Sequence, residues 1–358
     1  MSLISEIISE RKIPDIKALA PDVGTWEANR EKVKKMLCEE EYGVLPPPPE
    51  SISFEVTSKL DKFCAGRAPL VGIMVHTVVL GREFSFPMKA VVPKSDHGEK
   101  FPAIVHINFR PDVPDMYQPT EELVDNGYAV FSFCYKDVTS DDGNMSDGLA
   151  GVLFSEHERK PNDPGKIMMW AWAAMRVCDY ICTLDCIDKG RISVCGHSRL
   201  GKTALVTGAF DTRFSCAYSN DSGCSGAALS RGKNGETVAK ILERFPYWFC
   251  ENYKKYAESE DALPFDQHFL IALTAPRLVY VASAVEDTWA DPASEYLSCH
   301  AASPVFELYG GGFDAEDRLP MPNDEFHGGT VGYHLRTGVH YFSRNDWLPF
   351  LRFIGKHN

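Results

Sequence analysis

Between residues 52 and 92 apolar and polar side chains alternate, most clearly over 73–80 and 84–91, with a turn at Gly81 and Arg82 between the two stretches. A period of two sends successive side chains to opposite faces, so this region reads as paired strands. Beyond residue 100 the pattern changes. Short continuous apolar runs at 103–107, 129–133, 192–195, 214–219, 278–283 and 305–309 are separated by stretches of helical period. Runs of this kind suit strands covered on both faces. Their alternation with helices, expected at 167–183, 201–210 and 346–355, predicts a mostly parallel central sheet between two helical layers. Ahead of the strands, 25–43 reads as an amphipathic helix rich in Glu and Lys, which the prolines at 46–49 bring to a stop.

This pattern divides the chain simply. Residues 1–50 form an N-terminal helical cap segment on the domain that 51–358 builds. The stretch 224–266 is too long for a plain crossover between neighbouring strands. It holds a helical portion, 236–245, and then Phe245, Tyr247, Trp248 and Phe249 in close succession. An insertion there, above the C-terminal ends of the strands, would flank a pocket. Packing of the insertion against the domain explains the aromatic residues equally well.

Composition narrows the field. A 44% hydrophobic chain with 11% aromatic residues can fill a sizeable core, and 37 basic against 50 acidic residues give a net charge of −13. That balance argues against a broad nucleic-acid partner, which needs a basic surface to displace counterions. No apolar run approaches the ~18 residues of a membrane span. The first twelve residues are polar and helical in pattern, without the apolar centre of a signal peptide, so a cytoplasmic location is expected. Of the eleven cysteines, Cys178, Cys182 and Cys186 recur at four-residue steps on one helix. No histidine or CxxC pair completes a ligand set, so they read as small apolar residues in a reducing compartment, and neither metal nor cofactor is expected.

The chemistry concentrates after the run at 192–195. Gly196, His197, Ser198, Arg199, Leu200 and Gly201 make a tight turn between a strand and the helix that Lys202 continues. This is the setting of a nucleophile elbow, and it makes the protein an expected serine hydrolase of the α/β-hydrolase fold, a three-layer sandwich. Ser198 stands at a helix N-terminus, where unpaired N–H groups and the helix dipole favour a developing oxyanion. The usual G-x-S-x-G places glycine two after the serine. Here Leu200 is there and Gly201 follows.

A serine nucleophile needs a base, and the base needs a carboxylate to orient it. In this fold the order is Ser, acid, His, each partner following a later strand. Asp287 follows the run at 278–283, with Glu286 beside it. His340 precedes the closing helix and is preferred over His327 and His334. Asp221, after the run at 214–219, is a second candidate acid, with loop capping as its alternative. Arg199 and Lys202 lie three apart at the helix start, so they share a face beside Ser198. Cations at a helix N-terminus oppose its dipole, which argues that these two serve a negatively polarised, oxygen-rich substrate.

These residues resemble the glucuronoyl esterases, carbohydrate esterase family 15, and its bacterial branch in particular. GHSRLGK at 196–202 is similar to the family's G-C/H-S-R-x-G-K signature. The likeness continues through SGCSGAA at 222–228, FPYWF at 245–249, DQH at 266–268, APR at 275–277, WADP at 289–292 and GVH at 338–340. The resemblance implies Ser198 as nucleophile, His340 as base and Arg199 as an oxyanion-assisting side chain. Lys202 matches a lysine that binds sugar hydroxyls and Trp289 a tryptophan lining the uronate site. The family's acid stands where either Asp221 or Asp287 stands. Fungal members add a Gln and a Glu from the insertion, and Glu236 is the candidate for one of them, with Trp248 as a further wall of the site.

The expected activity is hydrolysis of uronate (glucuronoyl) esters through a Ser-His-Asp triad and an acyl-enzyme, on a small-molecule or oligosaccharide substrate related to xylan. Two other readings stand beside it. One is an acetyl-sugar deacetylase on the same fold, for which Arg199 and Lys202 would have no uronate to hold. The other is an inactive hydrolase fold that binds carbohydrate, against which the Ser, Asp and His set counts.

Overall fold

The computed structural model describes residues 2–95, 98–156 and 158–357, so Met1 of the expected cap segment and the terminal Asn358 lie outside the described residues. Among the described residues ten strands, β1 (Ser51–Phe63), β2 (Ala68–Val79), β3 (Arg82–Val91), β4 (Phe101–Asn108), β5 (Ala129–Cys134), β6 (Ile187–His197), β7 (Cys216–Asn220), β8 (Leu278–Ala284), β9 (Asp324–Phe326) and β10 (Val331–Arg336), form one sheet. Their order is β1-β2-β3-β5-β4-β6-β7-β8-β10-β9. The six strands from β5 to β10 along that order run parallel, while β1, β2, β3 and β9 pair antiparallel at the edges.

The helices are α1 (Leu3–Glu10), α2 (Val23–Leu37), α3 (Thr120–Asp125), α4 (Gly148–Phe154), α5 (Lys166–Thr183), α6 (Arg199–Phe210), α7 (Val238–Arg244), α8 (His268–Ala272), α9 (Pro292–Glu307) and α10 (Arg344–Lys356). On one face of the sheet the main core joins α5, α6, α8 and α9 to residues of α2, including the fully buried Trp26. On the other, Leu123 of α3 and Trp347, Phe350 and Phe353 of α10 cover Tyr218 and Tyr280. The molecule is the three-layer α/β-hydrolase sandwich that the alternation predicts. Among the described residues no helix is long and apolar enough to cross a membrane.

One expected strand is not a strand. Residues 305–309 belong to the last turn of α9 and the loop beyond it, and the strand beside β8 is β10 instead. Val305 and Phe306 are apolar because a helix face buries them, not because a sheet does. β10 escapes an apolar-run search because Gly332, His334 and Arg336 interrupt it, although all six of its residues are buried. Gly332 is required there: a Cβ would lie 2.5 Å from the Tyr280 ring.

Two local devices set up the site. At α10, the side chain of Ser343 accepts from Asn345 N at 3.1 Å and Asp346 Oδ2 accepts from Ser343 N at 2.7 Å, a reciprocal cap that fixes where the closing helix begins. At the other end of the sequence, α2 runs into a π-helical turn, Cys38–Tyr42, whose Tyr42 hydroxyl donates to Ser225 O at 3.0 Å. The proline run is anchored in turn by Trp172 Nε1, which donates to Pro47 O at 2.9 Å.

Candidate active site

Ser198 sits between β6 and α6 with φ 57° and ψ −127°, a conformation a non-glycine residue adopts only when its surroundings impose it. Its N–H donates to Asn220 O at 2.8 Å, while its C=O accepts from Gly201 N and Lys202 N. The turn admits no Cβ at Gly196, where one would lie 2.2 Å from Leu200 O. At Gly201 a Cβ would meet Asn220 O, Ser219 Oγ and Ser222 Cβ, each at 3.1 Å. The displaced second glycine therefore has a reason. Position 201 is where α6 packs against the end of β7, and the Leu200 side chain is buried in the core.

The loops after β8 and β10 meet over this serine. Glu286 N donates to Gly338 O at 2.9 Å, joining them, and His340 Nδ1 lies 2.6 Å from Asp287 Oδ2. A carboxylate only accepts, so Nδ1 carries the proton in this pair and Nε2 is left as the basic nitrogen. Asp287 is buried, whereas the His340 ring is 44% exposed. Glu286 points to solvent. The rival histidines lie elsewhere: His334 Nδ1 and His327 Nε2 both bond Tyr280 OH at 2.9 Å, and His334 Nε2 bonds Asp346 Oδ1 at 3.2 Å. Burial holds His327 neutral, down to about 4.

Asp221 also comes close to His340 but answers to other groups. Its Oδ2 accepts from Arg336 Nη2 at 3.2 Å and from Tyr341 N at 3.4 Å, while Oδ1 is buried without a partner among the described residues. Burial, with Glu295 and Asp346 nearby, pushes its carboxyl well above the usual range, and Arg336 opposes that shift. Asp221, Asp287 and His340 each bring a possible metal-ligand atom within 4.8 Å of the others. Two of the three are already engaged with each other, and Asp221 faces Arg336.

His197 had no role assigned from the sequence, yet it packs against His340. Its ring centroid is 4.4 Å from that of His340, its Nδ1 bonds Asn220 Oδ1 at 2.6 Å, and Asn220 Nδ2 donates to Asp346 Oδ1 at 3.1 Å. Burial first, and His340 second, press His197 down to about 3, so it supports His340 as a neutral ring. Arg336, Asp346 and Asp141 are the other members the sequence did not single out.

Ser198, Lys202, Glu236, Trp248, Trp289 and His340 line one cavity of about 330 Å³, together with Asp287 and Asp221. The cations expected on one helix face are both compensated. Lys202, 3% exposed, donates to Ser222 O and Cys224 O and lies 4.0 Å from Glu236 Oε2. Burial lowers its basicity, and Glu236 counters that. The Arg199 guanidinium pairs with Asp141 and lies 4.6 Å above the Trp248 ring. Trp248 does both things foreseen for the aromatics. It lines the cavity and also stacks on Phe245 at 4.0 Å. Trp289 is 41% exposed, with Lys240 and Arg244 each 5.1 Å from its ring. Cys178 is buried and its thiol is pushed up by desolvation, as expected of a packed side chain.

Residues 75–310 match the family described as "Glucuronyl esterase, fungi", a span that includes Ser198, Asp221 and Asp287 and ends before His340. Carbohydrate esterase MZ0003, from an unknown prokaryotic organism, is 43% identical over 240 residues, which is 66% of this chain and 55% of that protein. The 4-O-methyl-glucuronoyl methylesterase of Podospora anserina is 26% identical over 297 residues, 80% of this chain and 56% of that one. The chain thus spans little more than half the length of these two curated relatives. A solved glucuronoyl esterase from Solibacter usitatus superposes with a TM-score of 0.86 at 30% identity, covering 97% of this chain and 99% of that chain.

Proposed function

The chain belongs to the glucuronoyl esterase family, carbohydrate esterase family 15, and we propose that it hydrolyses uronate esters through an acyl-enzyme on Ser198. The observation that carries the reading is the 2.6 Å bond that His340 Nδ1 donates to Asp287 at the edge of the cavity into which the strained elbow projects Ser198. His340 Nε2 takes the serine proton as Oγ attacks the ester carbonyl, and the oxyanion forms at the N-terminus of α6, where the Arg199 N–H faces it. The same proton then goes to the leaving alcohol. Water, deprotonated by His340, attacks the acyl carbon, releases the uronic acid and restores the serine.

Lys202, Glu236 and Trp289 are assigned to the sugar. Lys202 and Glu236 form a buried donor and acceptor pair suited to adjacent hydroxyls, and Trp289 offers an exposed ring face to a pyranose. The Podospora relative's name points to a 4-O-methyl-glucuronoyl methyl ester as the first substrate to try.

The test is turnover of the methyl ester of 4-O-methyl-glucuronic acid by the unsubstituted protein and by Ser198→Ala. The variant is expected to lose hydrolysis by roughly 10⁴-fold or more with its unfolding midpoint unchanged. Unchanged turnover would remove Ser198 from the mechanism. Faster release of acetate from acetylated xylose than of methanol from the uronate ester would favour a deacetylase.

A further inference from the structure

Arg199 follows the nucleophile, but the position of its guanidinium is set from elsewhere in the sequence. Asp141 lies in the loop after β5, with its side chain only 5% exposed. One of its oxygens, Oδ2, accepts from Arg199 Nη1 and from Tyr135 OH at 2.7 Å. The other, Oδ1, accepts from Trp248 Nε1 at 2.7 Å, and its backbone carbonyl oxygen accepts from Tyr247 OH at 3.1 Å. A loop aspartate ordinarily bonds its own turn. The adjacent Asp142 does so, accepting from Ser140 Oγ at 2.6 Å and Asn144 N at 2.8 Å. The Asp141 side chain instead reaches 58 residues ahead to Arg199 and 107 ahead to Trp248.

We infer that Asp141 is a positioning residue for the acyl transfer, fixing the Arg199 guanidinium and the Trp248 wall as one unit beside Ser198. Its two oxygens are divided between the helix that begins at the nucleophile and the insertion that walls the cavity. The guanidinium is also enclosed by rings, with Phe245 at 5.3 Å and Phe109 at 5.7 Å in addition to Trp248. Stacking sets the guanidinium plane and the carboxylate sets its direction, so the cation cannot swing toward solvent. A charge held in place before the reaction stabilises a developing oxyanion without reorganising. This inference rests on the esterase reading above.

The test is a double-mutant cycle with the benzyl ester of glucuronic acid as substrate. Asp141→Asn keeps the side chain's shape and removes its charge. It is expected to lower kcat by roughly 10- to 100-fold, the cost of misplacing a catalytic group, with KM within about twofold. Asp141→Glu is expected to recover part of that loss. In an Arg199→Gln background, Asp141→Asn is expected to lower kcat by much less than it does alone, because, of the guanidinium and the Trp248 wall, only its bond to Trp248 is then left to lose. The double variant leaves no unpaired buried charge, so it keeps the comparison available should Asp141→Asn alone fail to fold. Unchanged kcat in Asp141→Asn, or an equal further loss in the Arg199→Gln background, would overturn the inference. Absence of ester turnover by the unsubstituted protein would overturn the esterase reading and this inference together.

Discussion

Two aspartates near one histidine pose a question that bonding geometry answers. Asp287 Oδ2 accepts a hydrogen bond from the Nδ1–H of His340, whereas Asp221 Oδ2 faces Arg336 Nη2 and Tyr341 N, the residue after His340. Their removal should therefore differ in kind. Asp287→Asn replaces an acceptor with an amide able to donate, which turns the imidazole to the wrong tautomer, and kcat should fall by about 10⁴-fold as in other triads. Asp221→Asn leaves that bond intact and loosens only the loop carrying His340, so a loss of roughly tenfold is expected. Parallel measurements of kcat on one uronate ester decide it, and equal losses would mean that the carboxylates share His340. Ser198, His340 and a pair of candidate acids, Asp221 and Asp287, were legible in the sequence because each sits at a set place in a strand-loop-helix order; which of the two bonds His340 was not. Asp141, Arg336, Asp346 and His197 were not. Each acts by pairing with a group on a distant loop or strand, and such pairing leaves no local pattern.

At the scale of elements, the elbow is a packing problem with one solution at each glycine. A Cβ at Gly196 would lie 2.2 Å from Leu200 O and 3.0 Å from Leu200 Cβ, so a methyl group there pushes the first turn of α6 away from β6. Gly196→Ala is expected to cost about 1–3 kcal/mol of stability and, because Ser198 moves with that turn, nearly all turnover. Chemical denaturation and kcat measured on the same preparation would show both losses. A fully active Gly196→Ala enzyme would mean that the elbow relaxes without moving Ser198. The elements most legible in the sequence were those with one periodicity throughout, such as α5, whose apolar residues fill a buried helix. The apolar run at 305–309 misled because a helix end buried in a core looks like a short strand when only hydrophobicity is read. β10 was hidden for the opposite reason. It carries working polar residues, His334 and Arg336, whose partner Asp346 lies on α10.

Across the whole molecule, the N-terminal segment is tied by a buried carboxyl group to the chain just after the insertion. Glu41, in the π-helical turn after α2, is fully buried, and both its oxygens accept from Gln267 Nε2, at 3.0 and 3.1 Å. Cys250 N, within the insertion, donates to Glu41 O at 2.9 Å, so the backbone of the same residue holds the insertion as well. Desolvation pushes the Glu41 carboxyl up to about 7, with the bond from Gln267 opposing. Below the unfolded value of 4.5 both states hold the proton. Between there and 7 the unfolded protein releases it while the folded one retains it, so stability falls as pH rises through this window and then levels off. Glu41→Gln keeps the shape and removes the titration. Relative to the unsubstituted protein it should gain up to about 3 kcal/mol at pH 8 and considerably less at pH 5. Glu295, also pushed up to about 7 by burial, would leave both proteins a shared slope, so the difference between their unfolding free energies is the quantity to compare. A Glu41→Gln protein equally destabilised at both pH values would show that the carboxylate is ionised and held by its neighbours. In that event the segment would be fastened by charge, and the ordinary carboxylate range would apply to Glu41.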